Sequence, residues 1–154
     1  MKNKIYIAFD ADNDMQYYNL LKAWDANVGI FFEFTKNQNA HNINYAHDWA
    51  LPESIKNQLR ARLKESRILL LLVGASTYRC SKFVEYEVEA AMRMDIPIVY
   101  VMLNSSFVEP KWVPMDYPLL TIDFNAKSIN KALREWEIIH MYYKDSNCNR
   151  HLRW

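Results

Sequence analysis

Arg67 to Gly74 reads RILLLLVG, an apolar run without alternation and no longer than a strand. Successive side chains of a strand point to opposite faces, so such a run must be covered on both sides. This marks a central parallel strand between two layers of helices. Lys4 to Phe9 (KIYIAF) and Ile98 to Leu103 (IVYVML) are built alike. Ile30 to Phe34 and Leu119 to Asp123 complete five predicted strands.

Helical patterns fill most of the gaps. Asp14 to Asn27 carries Tyr17, Leu20, Leu21 and Trp24 at helical spacing, with Asp12 or Asn13 as its predicted cap. Pro52 opens Glu53 to Glu65, whose inner stripe is Ile55, Leu59 and Leu63. Ser81 is placed to cap Lys82 to about Met94, which Asp95 and Pro97 end. Ala126 to Tyr143 puts Ile129, Leu133, Trp136 and His140 on one stripe. The alternation predicts an α/β fold of the flavodoxin-like type: a doubly wound, five-stranded parallel sheet of order 2-1-3-4-5 in three α/β/α layers. One domain should span residues 1–143, leaving 144–154 (KDSNCNRHLRW) as a loose polar tail.

Ligands of such sheets bind at the carboxyl ends of the strands, where the winding reverses. Here that lies between strands 1 and 3. The DADND segment after strand 1, the long polar segment Thr35 to Leu51, and Ala75 to Ser81 after strand 3 should meet there. A structureless segment as long as Thr35 to Leu51 points to function or disorder.

Composition narrows the ligand. The chain has 154 residues, 51% hydrophobic and 24% charged, which suits one core. With 19 basic and 18 acidic side chains it carries no electrostatic footprint for nucleic acid or an anionic membrane. No apolar run approaches the roughly 20 residues of a bilayer span. The start shows no signal-peptide stretch, so a cytoplasmic location is expected. Cys80 and Cys148 are expected to be free thiols, and the four histidines show no metal spacing. Only Gly29 and Gly74 are glycines, so neither a P-loop nor a dinucleotide fingerprint can be built. A phospho-acceptor receiver is disfavoured because strand 3 runs into Gly74, Ala75 and Ser76 with no acid. A flavodoxin is disfavoured because DADND would repel a phosphate.

Ser81-Lys82-Phe83-Val84-Glu85-Tyr86-Glu87-Val88 resembles the TIR-domain motif Ser-x-Trp-Cys-x-x-Glu-Leu, with Phe83 for the Trp and Val84 for the Cys. YIAFDADND with YYNLLKAW, then SIKNQLRARLKESRILLLLVGAST, then PIVYVMLN, are similar in order to segments of the TIR-like proteins of bacterial Thoeris anti-phage systems. The resemblance spans roughly Lys4 to Asn104. It implies a TIR-like variant of the fold above and an enzyme that cleaves the nicotinamide–ribose bond of NAD. The ADP-ribose part would become a signal nucleotide that activates a separate effector protein. NAD is then substrate and no cofactor is needed. The family also makes a homo-oligomer an expectation.

Glu87 falls on the catalytic glutamate of the motif. Read by helical phase alone, Val84, Val88, Ala91 and Met92 set the buried direction. Glu89 points away from it, while Glu85 and Glu87 flank it, Glu87 half-buried beside Phe83 and Ala90. A surface glutamate on an amphipathic helix fits that phase equally well. Phe9 is placed to stack on nicotinamide or to fill the core, and Asp10 to bind a ribose hydroxyl or to cap a helix. Ser76 and Tyr78 follow strand 3 within reach of phosphate or ribose, or are ordinary loop polarity. Asp48 and Trp49 lie in the segment corresponding to the TIR BB loop, with Trp49 as lid, subunit contact or core residue. Two other readings stay open: a nucleoside deoxyribosyltransferase-like enzyme, and a non-catalytic TIR assembly module.

Overall fold

The computed structural model describes residues 4–28, 33–34, 52–79, 82–144 and 150–154. Among the described residues, six strands form one sheet: β1 (Lys4–Ala8), β2 (Glu33–Phe34), β3 (Ser66–Val73), β4 (Ile98–Met102), β5 (Leu119–Asp123) and β6 (His151–Arg153). Their order is β2-β1-β3-β4-β5-β6 and every pairing is parallel. Among the described residues, four α-helices accompany them: α1 (Ala11–Val28), α2 (Glu53–Lys64), α3 (Lys82–Arg93) and α4 (Ala126–Lys144).

The apolar run of β3 is covered on both faces, as its composition requires. Register aligns Ile7, Leu70, Val99 and Leu120 in one row across the sheet. That row packs with Tyr18 and Leu21 of α1 and Ile129, Leu133 and Trp136 of α4. The next row, Ala8, Leu71 and Tyr100, faces the other way. It packs with Ile55, Leu59 and Leu63 of α2 and with Phe83, Val84 and Val88 of α3. The sheet is therefore doubly wound, with α1 and α4 on one side and α2 and α3 on the other.

The expected order 2-1-3-4-5 is present, and a sixth strand extends it. Residues 150–154 of the tail expected to be loose pair with the sheet instead. Leu119 N donates to Arg150 O at 2.9 Å, and Trp154 N donates to Thr121 O at 3.1 Å. The open edge of β5 offers unpaired backbone groups, and α4 delivers the chain to it. Leu152 and Trp154 add apolar contact, Trp154 standing edge-on to Trp136 at 6.2 Å. A three-residue strand among polar residues is too short to show a periodicity.

Helix α1 starts three residues before its predicted start, because Asp10 caps it in place of Asp12 or Asn13. Asp10 Oδ1 accepts from Asp12 N at 3.1 Å, and its Oδ2 accepts from Asn13 Nδ2 at 2.6 Å. Pro52 holds the cap position of α2 without a side-chain bond. Helix α3 ends on Asp95 in the left-handed region, φ 57°, with Ile96 N donating back to Ala91 O at 2.9 Å. Among the described residues no helix is long and apolar enough to cross a membrane.

Candidate active site

Glu87 lies four residues after Phe83, three after Val84 and four before Ala91, all buried on the inner face of α3. The expected half-burial is exceeded: Glu87 is 0% exposed, while Glu89 is exposed and Glu85 intermediate, as their phase predicts. Phase alone placed Glu87 at the flank of the stripe. The second helix packed on this face, α2, closes that flank.

Burial pushes the Glu87 carboxyl from its ordinary 4.5 up to about 8. The Tyr6 hydroxyl, rising from β1, and the Arg62 guanidinium, from α2, pull the other way and do not cancel it. Among the described residues, neither Glu87 oxygen receives a hydrogen bond of ordinary geometry. A buried carboxyl without full hydrogen bonding is costly to a fold. Apolar side chains would fill the same space more stably, so a group of this kind marks a functional candidate.

A second group of polar residues sits at the carboxyl ends of β1 and β3, where the winding reverses. Asp10 and Asp14 come from the start of α1, and Gly74, Ser76 and Thr77 from the end of β3. Thr77, 0% exposed, accepts from Gly74 N at 2.8 Å and so fixes the turn. Asp14 is 5% exposed and its Oδ2 has no hydrogen-bond partner among the described residues. Burial, helped by the charge of Asp10, raises its pKa to about 6. Its carboxylate lies directly over Gly74, where a Cβ would come within 2.2 Å of Oδ2. Asp14 was not singled out in the sequence. The available signal was its spacing to Tyr18 and Leu21, which puts it on the buried stripe of α1.

The remaining predicted residues are spread across the domain. Phe9, 2% exposed, stacks on Tyr18 with centroids 4.8 Å apart, within the core on the α1 side. It therefore faces away from Glu87, which lies on the α3 side of the sheet. Asp10 serves as the helix cap described above, with both carboxylate oxygens engaged. Ser76 is half-buried and its carbonyl accepts from Arg79 N. Tyr78 is 40% exposed, with the Arg79 guanidinium 5.3 Å from its ring. Phe83 is buried in the same cluster as Val84 and Val88, beside Glu87. Asp48 and Trp49, like Cys80, Ser81 and Cys148, lie outside the described residues.

A parallel 2-1-3-4-5 sheet between two helical layers is a doubly wound α/β fold of the kind TIR-like domains adopt. Residues 6–106 match the family of the Thoeris protein ThsB, TIR-like domain. The match covers β1 to β4 with their helices, about two thirds of the chain, and the protein belongs to that family. A comparison with curated proteins gave no match. The matched span ends before β5, so α4 and β6 lie beyond it.

Proposed function

We propose that this TIR-like domain breaks the bond between nicotinamide and ribose in NAD and passes the ADP-ribose part into a signal nucleotide of anti-phage defence. The observation that carries the reading is the fully buried Glu87 carboxyl, at the position resembling the catalytic glutamate of the TIR motif, in a chain that belongs to the Thoeris TIR-like family. Nicotinamide leaves as a neutral molecule, taking the electron pair of the broken C–N bond. The difficult part is the positive charge that develops on the ribose carbon. An anion held against that carbon, in a site emptied of water, stabilises the charge or traps it as a transient ester.

The raised pKa fits this role once the substrate is considered. An empty site keeps Glu87 largely protonated at neutral pH, which limits the cost of burial. The pyridinium ring of NAD brings a positive charge of its own and favours the ionised carboxylate. Substrate binding thus draws off the proton and creates the anion where it is needed. The released ADP-ribose unit is hydrolysed, cyclised or joined to another acceptor, and the nucleotide so formed activates a separate effector protein. NAD is consumed, so no further cofactor enters the scheme.

Mass spectrometry of NAD incubated with concentrated protein tests the proposal. Release of nicotinamide with an ADP-ribose-derived product supports it. Intact NAD, or exchange of bases between free deoxynucleosides instead, contradicts it.

A further inference from the structure

The switch point between β1 and β3 holds a carboxylate that the scheme above does not use. Of the two acids at the start of α1, Asp10 spends Oδ1 on the Asp12 backbone N–H of the helix cap and Oδ2 on the Asn13 side-chain amide. Asp14 is 5% exposed, and its Oδ2 is buried without a hydrogen-bond partner among the described residues. The fold also makes room for it. Gly74 ends β3 with no side chain, and Asp14 fills the volume a Cβ would take. Buried acceptors left open in this way need an outside donor. The local charge says which kind: Asp10, Asp12 and Asp14 follow one another in the first turn, so a phosphate is repelled and a neutral donor is accepted. Vicinal hydroxyls of a sugar are such donors.

Position says which sugar. Asp14 belongs to the α1 layer and Glu87 to the α3 layer, so the two carboxyls lie on opposite sides of the sheet. We infer that Asp14 is a substrate-binding residue that accepts hydrogen bonds from the hydroxyls of the adenosine ribose, while Glu87 faces the ribose attached to nicotinamide. This rests on the reading of NAD as substrate. It assigns the two acids to the two halves of the dinucleotide and turns the DADND segment into a filter against ligands that would place a phosphate there.

Equilibrium binding separates this inference from the function it rests on. Glu87→Gln removes turnover as a complication and serves as background. In that background, Asp14→Ala should weaken NAD binding about tenfold or more, the range for a lost hydrogen bond to a charged group. It should leave unchanged the binding of an NAD analogue whose adenosine ribose lacks both hydroxyls. Asp14→Asn keeps the shape and guards against misfolding, and it should show an intermediate loss. Equal NAD affinity with and without Asp14, or equal losses for NAD and the analogue, would overturn the role of Asp14 and leave the proposed function standing. Failure of both the parent and the Glu87→Gln protein to bind NAD would overturn both.

Discussion

The carboxylate of Asp14 occupies the space that a side chain at Gly74 would need, with a Cβ there only 2.2 Å from Asp14 Oδ2. Asp14 is nearly enclosed and cannot swing out freely. Gly74→Ala should therefore destabilise the fold by about 1–3 kcal/mol, as overpacking does. Most of that loss should vanish in an Asp14→Ala background. Urea unfolding of the four proteins in a double-mutant cycle measures the coupling. Strictly additive effects would show that the two residues do not share the space.

Glu87 ties stability to pH. Its folded pKa of about 8 lies above its ordinary 4.5. Below pH 4.5 the carboxyl is neutral in both states and the group costs little. Between pH 4.5 and 8 the unfolded chain has lost the proton that the folded chain still holds, so stability falls as pH rises through this window. The full span corresponds to a cost on the order of 4–5 kcal/mol. Glu87→Gln should raise the melting temperature at pH 8 and bring no such gain at pH 4. A gain of the same size at both pH values would be incompatible with a buried, titrating carboxyl.

The same group should shape the rate profile of NAD cleavage. If the ionised form of Glu87 acts, kcat/KM rises with pH and levels off near pH 8, since it reports the free enzyme. The profile of kcat should rise at lower pH, because the bound pyridinium favours the carboxylate. Initial rates of nicotinamide release from pH 5 to 9 give both curves. A kcat/KM that falls across this range would require a protonated Glu87 instead.

At the far end of the sheet, Asp95 adopts φ 57°, where glycine is usual. Burial works to raise its pKa, but Lys144 and His140 bond to the carboxylate and hold it lower. The side chain thus fastens the end of α3 to α4. Asp95→Ala should cost about 1–3 kcal/mol. Asp95→Gly should cost about 1 kcal/mol less than that, because it relieves the left-handed strain. Thermal melts of the two variants check the order, and an Asp95→Ala protein as stable as the parent would refute the fastening role.

Removing the apolar contacts of β6 should loosen the edge of β5. Leu152→Ala with Trp154→Ala should lower the melting temperature by several degrees, since a few kcal/mol of burial against Trp136 is lost. Faster amide exchange of Thr121 and Leu119 would locate the effect. No change in either observable would mean that β6 contributes nothing to the sheet.

Much of the architecture was legible in the sequence because it rests on long apolar runs. RILLLLVG, KIYIAF and IVYVML could only be covered strands, and their alternation with helices determined the order of the first five. What was missed depends on contacts between distant segments. The sixth strand needs the bare edge of β5, which no local pattern shows. The start of α1 was expected two or three residues late because several acids follow one another, although capping was one of the two roles open to Asp10. Glu87 was found by its motif, but its complete burial follows from the packing of α2 on α3. Asp14 escaped notice because its neighbour across the crevice, Gly74, is 60 residues away in the chain.

In the function proposed above, Glu87 carries the chemistry on NAD. The most direct measurement is nicotinamide release from NAD by the parent protein and by Glu87→Gln, side by side at high protein concentration. Release by the parent is expected, with a rate at least about a hundredfold lower for the variant, the loss that follows removal of a main charge-stabilising group. Equal rates for the two proteins would contradict it.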